Sequence, residues 1–383
     1  MSLFKKSWVS ITIGLLVALI IIVWVTGYGY IYKALVYNYV NIDDIDLFYS
    51  RKVAAGQGEP WAIGNDYNKK PLTPELKKTL EGYRTVAFLV VKDDSIRAEM
   101  YWDNYGKSSL SNSFSAAKSI VSILVGIAID EGKIKSLDQH VCDFLPEFCE
   151  GQSNQLTIRH LLMMSSGLNW DEGYTSLFGP TTRAYYDTEL SKQVLDLKVI
   201  TTPGKEFNYM SSNTELLALI VTRATGKTLS EYASEKLWKP IGAEEDAQWS
   251  LDHKDGVEKA YCCFYSNARD FARIGKLFLN KGRWNGKQII SEDYVNQCIT
   301  PAPVTDNGQP NKIYGFQWWL TEYQNMKVFY ARGILGQYIF VIPDLNIVFV
   351  RLGHIRGEKD AGGQLLDVPV YLAEVVKMYG QQL

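Results

Sequence analysis

Ser115 and Lys118, in one predicted helix, have the residue types and the spacing that nucleophilic catalysis needs. Residues three apart lie on one face of a helix, so the Lys118 amine comes close to the Ser115 hydroxyl. In the first turn of a helix, the Ser115 amide is one of the free N–H groups and can stabilise an oxyanion. The apolar residues that follow predict a buried Lys118 that serves as partner base. The alternative is an ordinary helix whose lysine reaches the surface.

Two further stretches carry candidate residues. Tyr209 stands in a turn directly before another predicted helix, and a phenol beside an ammonium group can act as a general acid and base. The alternative is a core tyrosine, since the chain has 24 tyrosines. Gly333 and Gly336 in a late strand predict a close approach to the backbone. The Ile334 amide would then complete an oxyanion hole with the Ser115 amide, whereas the alternative is a simple bulge.

The elements that position these residues follow in the order helix, two strands, long helical block, further strands, helix. Strands on both sides of the helical block predict an α+β fold with one mainly antiparallel sheet and the terminal helices packed on it. The serine helix would begin where the sheet meets the helical block, a favoured place for a site. The predicted ranges are a helix at 73–83, strands at 85–91 and 96–102, a helical region at about 111–300, strands at 313–320, 327–333, 336–343 and 346–353, a closing helix near 367–380, and sheet segments of about 80–105 and 310–383.

The N-terminus predicts a single membrane span. No charged residue lies between Lys6 and Lys33, and this apolar stretch is long enough to cross a bilayer. Lys5 and Lys6 would stay in the cytoplasm, so the rest of the chain would lie on the periplasmic, extracytoplasmic side of the inner cell membrane. The alternative is a cleaved signal peptide. The predicted organisation is an anchor at 1–32, a linker or extension at 33–75 and a catalytic domain at 76–383.

Composition narrows the choice of partners. The chain has 40 basic and 42 acidic residues, so no nucleic-acid partner is indicated. The four histidines are scattered and no cysteine pair has zinc-site spacing, so neither a metal nor another cofactor is predicted. Cys142 and Cys149 could close a short loop as a disulfide in an oxidising compartment. Cys262 and Cys263 are predicted to be buried core residues.

The order of the motifs resembles a known family, the serine β-lactamases and penicillin-binding-protein-like hydrolases. The likeness is to the class C branch with its esterases and 6-aminohexanoate-dimer hydrolases, and it covers roughly residues 80 to 380. This resemblance implies a β-lactamase/transpeptidase-like fold and a serine acyl-enzyme. It depends on the stretches SFSAAKSIVSILVGIAIDEGKI, TIRHLLMMSSGLNWDE, PGKEFNYMSSNTELLALI, YCCFYSNARDFARIGKLFLNKGRWNGKQII, YGFQWWL and GILGQYIFVIP.

The resemblance assigns roles by position. It implies that Ser115 is the acylated nucleophile, that Lys118 is its base, and that Tyr209 is the tyrosine of the Y-x-N motif, which protonates the leaving group. The asparagine of that motif falls on Ser211, which would then contact the substrate. An alignment of Ser211 to Asn213 with the class A S-D-N motif is the alternative.

A second departure concerns the K-T-G motif, which falls on Ala331, Arg332 and Gly333. The lysine that would bind a β-lactam carboxylate is therefore missing, and the side chain of Arg332 is expected on the opposite face of the strand. The sequence thus predicts a membrane-anchored serine hydrolase for a small ester, amide or peptide-like substrate. The alternatives are a β-lactamase, a D-Ala-D-Ala carboxypeptidase or a non-catalytic ligand-binding sensor. The sequence specifies neither the acyl group nor the oligomeric state.

Overall fold

A computed structural model describes residues 2–360 and 365–380 of the chain. Met1 of the predicted anchor, and residues 361–364 and 381–383 of the predicted catalytic domain, lie outside the described residues. The α-helices are α1 Ser2–Val25, α2 Tyr30–Tyr37, α3 Pro74–Gly82, α4 Ala117–Asp130, α5 Ile158–Leu162, α6 Pro180–Tyr186, α7 Leu190–Leu195, α8 Ser211–Thr225, α9 Leu229–Ala233, α10 Ala268–Leu279, α11 Glu292–Cys298 and α12 Asp367–Tyr379. The strands are β1 Ser50–Val53, β2 Ala62–Ile63, β3 Thr85–Lys92, β4 Ser95–Tyr101, β5 Ser111–Asn112, β6 Ala247–Ser250, β7 Phe264–Ser266, β8 Arg283–Trp284, β9 Lys287–Gln288, β10 Thr305–Asp306, β11 Gln309–Pro310, β12 Trp319–Tyr323, β13 Met326–Gly333, β14 Gln337–Ile342 and β15 Ile347–Gly353.

The main sheet joins strands from both ends of the chain. Within the described residues its order is β12-β13-β14-β15-β3-β4-β2, and its pairs are antiparallel apart from the parallel β2–β4 edge. Strand β3 is buried along its whole length, which is what its continuous apolar sequence predicts for a central strand. Asp93 and Asp94 turn β3 into β4 with φ of 49° and 60°, as a tight hairpin requires. The predicted hairpin is therefore confirmed.

Helices cover both faces of this sheet, which gives the predicted α+β architecture. Helices α3 and α12 contact each other, and their apolar residues share one core cluster with residues of β3, β13, β14 and β15. On the other face α10 crosses β14, β15 and β3, and Gly275 lets it come close, because a Cβ there would lie 2.6 Å from a Val348 methyl carbon. Helices α4 and α8 pack against each other in this second layer.

The region at about 111–300, predicted as helical, also contains short strands that the sequence did not indicate. A second sheet with the order β1-β6-β7-β5 lies within the described part of the chain. Its strands have only two to four residues each, too few to show a clear period in sequence. Strand β1 pairs with β6, so a segment of the predicted extension at 33–75 is built into this layer.

The predicted strand at 313–320 also differs, because extended pairing begins only at Trp319. Gly315 lies against the backbone of α11, where an added Cβ would be 2.0 Å from the Cys298 carbonyl oxygen. Gln317 adopts φ of 64°. This close turn keeps residues 313–318 out of the strand.

The N-terminal helices do not form one straight apolar span. Within the described residues, no single helix meets the length and hydropathy needed to cross a membrane. The segments Ser10–Val25 and Tyr30–Tyr37 meet that requirement only when taken together, and their axes are bent by 111°. A membrane anchor therefore stays a prediction.

The cysteines form two short-range pairs. A disulfide joins Cys142 to Cys149, as their spacing allowed. Cys262 and Cys263 are buried as predicted and are also joined to each other. Cys298 is free and buried.

Candidate active site

Ser115 lies in a tight turn between the two layers. The 3₁₀ turn Phe114–Ala116 runs directly into α4, and Asn112 Oδ1 accepts the Phe114 N–H at 2.8 Å. Phe114 adopts φ of 43°, a left-handed conformation that costs about 1 kcal/mol or more for a residue with a side chain. Such strain next to a hydroxyl group is common where the fold positions a functional residue.

Strand β13 meets this turn at Gly333. A Cβ built on Gly333 would lie 2.1 Å from the Ser113 carbonyl oxygen, so only glycine fits. The predicted close approach at this glycine is therefore confirmed, and the approaching group is the serine turn itself. Position 336 requires glycine for a different reason. Its φ is 86°, and the Arg351 guanidinium occupies the space that a side chain at position 336 would need.

Lys118 holds the centre of the site. Its side chain is 1% exposed, and its Nζ donates to Ser115 Oγ at 3.1 Å, to Ser211 Oγ at 3.1 Å and to the Tyr261 carbonyl at 2.9 Å. In the neutral amine that can act as a base, the contact with Ser115 runs the other way, with the Ser115 hydroxyl as the donor. Lys118 therefore does not reach the surface, and the structure brings it into direct contact with Ser115.

The Glu172 carboxylate, which the sequence analysis did not identify, holds Ser211 in place by hydrogen bonds. Glu172 accepts the Ser211 N–H and the Ser211 hydroxyl, both at 2.6 Å. The same carboxylate accepts Trp170 Nε1 at 2.7 Å and the Tyr174 hydroxyl at 2.6 Å. A continuous chain of hydrogen bonds thus runs from Glu172 through Ser211 to Lys118 and Ser115. Four donors fix the carboxylate, which makes it a rigid support for Ser211.

Tyr209 meets Lys118 through its ring. The Lys118 Nζ lies 5.1 Å from the centroid of the Tyr209 ring, within the range of a cation–π contact. Trp319 and Tyr314 pack beside Tyr209, with ring centroids 5.5 Å and 6.0 Å away. Asn213 lies deeper in α8, where its amide contacts the Met164 sulfur. The S-D-N alternative therefore lacks its asparagine at the site.

A cavity of about 560 Å³ opens beside Ser115. Ser115, Ser211 and Ile334 all border it, so the two amides of the predicted oxyanion hole belong to residues of one cavity. Within residues 2–360 and 365–380, no group of three or more histidine, cysteine or carboxylate side chains is arranged to hold a metal ion.

Tyr261 is another residue that the sequence did not point to. Its carbonyl accepts from Lys118, its ring lies 5.5 Å from Lys118 Nζ, and burial raises the pKa of its phenol well above the usual value. The Cys262–Cys263 disulfide follows directly and constrains the backbone there. The available signal for Glu172 was its place at the end of the stretch TIRHLLMMSSGLNWDE, but nothing local connected it to Lys118.

A serine with a buried lysine partner, at the junction of an α+β sheet and a helical layer, defines a serine hydrolase. The Beta-lactamase family model matches residues 75–367. The chain therefore belongs to the β-lactamase family of serine hydrolases.

Relatives and solved structures agree with this membership. The chain is 29% identical over 296 residues to the 6-aminohexanoate-dimer hydrolase of Paenarthrobacter ureafaciens, covering 73% of this chain and 75% of that protein. A provisionally named 6-aminohexanoate-dimer hydrolase from Bacillus anthracis shares the fold with a TM-score of 0.75 at 23% identity, over 88% of this chain and 92% of that one. A family VIII carboxylesterase matches with a TM-score of 0.61 at 18% identity, over 81% and 98%.

Proposed function

We propose that the chain is an acyl hydrolase that forms an acyl-enzyme on Ser115 from a small ester or amide and releases the acyl group to water. The observation that carries this proposal is the 3.1 Å contact between Lys118 Nζ and Ser115 Oγ, with Lys118 buried. The names of the relatives, a 6-aminohexanoate-dimer hydrolase and a carboxylesterase, support an amide or ester substrate.

The proposed reaction has two balanced steps. Ser115 Oγ bonds to the substrate carbonyl carbon, its proton passes to Lys118, and the amides of Ser115 and Ile334 stabilise the oxyanion. The bond to the leaving group then breaks as Tyr209 supplies a proton to it. Lys118 returns its proton to Tyr209, so that both groups regain their starting forms. In the second step, water gives a proton to Lys118 and attacks the acyl carbon, and Lys118 passes that proton to Ser115 Oγ as the ester bond breaks, which restores the hydroxyl.

Labelling with a fluorophosphonate probe tests the nucleophile. The wild-type protein should become labelled and should hydrolyse p-nitrophenyl esters, while Ser115→Ala loses both properties and keeps its melting temperature. Ser113→Ala is a matched control in the same turn, and it should still label. Labelling of Ser115→Ala would refute the assignment. An unlabelled wild type that nonetheless binds a ligand would favour the sensor alternative.

Weak β-lactam hydrolysis is expected beside the esterase activity. Ala331 occupies the usual lysine position, and the Arg332 guanidinium lies 3.4 Å from the centroid of the Trp319 ring, on which it stacks. A missing charged contact costs about 1.5–3 kcal/mol, or about one to two decades in affinity. Comparing kcat/KM for nitrocefin with kcat/KM for a p-nitrophenyl ester decides whether the enzyme is mainly an esterase or a β-lactamase. A tenfold preference for nitrocefin would favour a β-lactamase.

We also propose that residues 1–32 anchor the enzyme in the inner membrane, with its catalytic domain on the periplasmic side. The absence of charge between Lys6 and Lys33 supports this. Full-length protein should then fractionate with membranes, and a C-terminal reporter should be active only outside the cytoplasm. Soluble full-length protein with an intact N-terminus would contradict the proposal.

A further inference from the structure

The walls of the cavity beside Ser115 are uncharged. Among the described residues that border it there is no aspartate, glutamate, lysine, arginine or histidine. Its size is that of a pocket for a small organic molecule. A charged group that entered it would lose water and would meet hydroxyl groups of tyrosine, serine and threonine, but no side chain of opposite charge, which is costly.

Two charged groups that contact residues of the cavity wall, Glu172 and Lys118, already make several hydrogen bonds within the protein. Both oxygens of Glu172 accept hydrogen bonds from Ser211, and Trp170 and Tyr174 add two more. Lys118 Nζ has three acceptors. Neither group is left to bind a substrate ammonium or carboxylate inside the pocket.

The N-terminal segment closes one side of the cavity. Ala34 and Val40 border it, and α2, which carries Ala34, packs on α6. Ala34 is 3% exposed, so its methyl group is part of the wall and not of the outer surface. Leu177 and Leu335 add apolar side chains at other points of the wall.

The cavity lies on the acyl side of the reaction. The leaving group must stand beside Tyr209, its proposed proton donor, and Tyr209 is not among the residues that border the cavity. The space next to Ser115 that extends towards Ala34 is therefore available to the acyl chain.

We infer that this pocket binds an uncharged, apolar acyl chain of medium length, such as octanoyl, so that the enzyme selects esters or amides of such acids. This inference rests on the proposed function, because it takes Ser115 as the acylated residue. Burying one methylene group is worth about a fourfold gain in binding. From acetyl to octanoyl, kcat/KM should rise by about 100-fold or more, since part of the chain surface stays exposed.

The first experiment varies the two halves of the substrate separately. p-Nitrophenyl acetate, butyrate, octanoate and laurate change the acyl chain, and ethyl, butyl and octyl acetates change the leaving group. We expect a steep rise with acyl length and a flat response to the alcohol. A steep alcohol series with a flat acyl series would overturn the inference. The matched amides of hexanoic and 6-aminohexanoic acid then test charge: a preference for the hexanoyl amide of about tenfold or more is expected, and a preference for the aminated chain would overturn it.

The second experiment changes the wall. Ala34→Met fills the pocket, so the ratio of octanoate to acetate turnover should fall about tenfold. Leu35→Met is the matched control on the same helix, because Leu35 is 59% exposed and does not border the cavity. It should leave both rates unchanged. An unchanged ratio in a folded Ala34→Met protein would refute the pocket assignment.

A binding measurement separates this inference from the proposed function. Ser115→Ala protein should bind octanamide more tightly than acetamide by titration calorimetry, whether or not the wild type hydrolyses esters. Tight octanamide binding together with an inert wild type would defeat the proposed function and leave the pocket in place. Ester hydrolysis without any chain-length preference, in rates or in binding, would defeat only the inference.

Discussion

The outer wall of the cavity differs from the floor beneath it, which is the hydrogen-bonded cluster of Ser115, Lys118 and Ser211. On the floor, Lys118 is buried, and each hydrogen bond that it makes ends on a group that is itself held by the fold. The wall includes Tyr174 and Leu177 from the loop before α6, whose side chains are 52% and 37% exposed. Polar contacts in the floor thus carry the proposed chemistry, whereas a partly open, uncharged surface is proposed to select the acyl group. Floor variants should change the rate with every substrate, and wall variants should change only the preference among substrates.

The largest effect is expected from Lys118→Ala. This change removes the partner base and leaves Ser211 and the Tyr261 carbonyl without their donor, so kcat should fall about 10³-fold or more for all esters. Lys133→Ala, at an exposed position just after α4, is the control and should keep the wild-type rate. Steady-state kinetics over the ester series measures both. Retained turnover in Lys118→Ala would show that the floor does not set the rate for every substrate.

Tyr209→Phe should reduce kcat by about 10²–10⁴-fold, because it removes the proposed proton donor while the ring contact to Lys118 persists. The loss should be greater for amides than for p-nitrophenyl esters, since nitrophenolate leaves without protonation. Tyr323→Phe on β12 serves as the control. Equal losses with both classes of substrate would remove Tyr209 from the role of acid.

Glu172→Gln should lower kcat by about 10- to 100-fold, with little change in KM for small esters. The glutamine side chain places an NH₂ donor where the carboxylate accepts hydrogen bonds from Ser211, Trp170 and Tyr174. A hydrogen bond to a charged group is worth about 1.5–3 kcal/mol, so its loss should be measurable. As a positioning residue, Glu172 should also shift the pH–rate profile when it is changed, and Glu172→Asp should restore part of the rate. A profile identical to wild type would reduce Glu172 to a structural role.

The smallest expected effect is on the free energy of unfolding, and it comes from Glu215 in α8. Burial raises the pKa of the Glu215 carboxyl well above its usual value, although the Ala260 N–H donates to one of its oxygens. The folded protein therefore holds this proton more tightly than the unfolded chain. The contribution to stability is complete below the unfolded pKa of about 4.3, and it is lost as the pH rises through the folded pKa. Urea unfolding at acidic and neutral pH should show a flatter pH dependence for Glu215→Gln than for wild type. Glu75→Gln, at an exposed site, should match wild type in this comparison, and a Glu215→Gln curve parallel to wild type would contradict the assignment.

The sequence predicted those features of the fold and site whose signal is local. The β3–β4 hairpin shows its turn and its apolar runs within a few residues, and Ser115 and Lys118 are one helical turn apart, so both could be read directly. Glu172 could not be found in this way, because its link to Lys118 passes through Ser211, 39 positions along the chain. The strands β1 and β6 were missed for the same reason, since each is short and its pairing partner is remote.

The close approach of Gly333 to Ser113 has a consequence for the time course of folding. These residues are far apart in sequence, and forming such a contact requires the closure of a very long loop, which is slow. Helices such as α4 and α8 need only local hydrogen bonds and can form before this contact. During refolding, ester hydrolysis should therefore recover later than the far-ultraviolet circular dichroism signal.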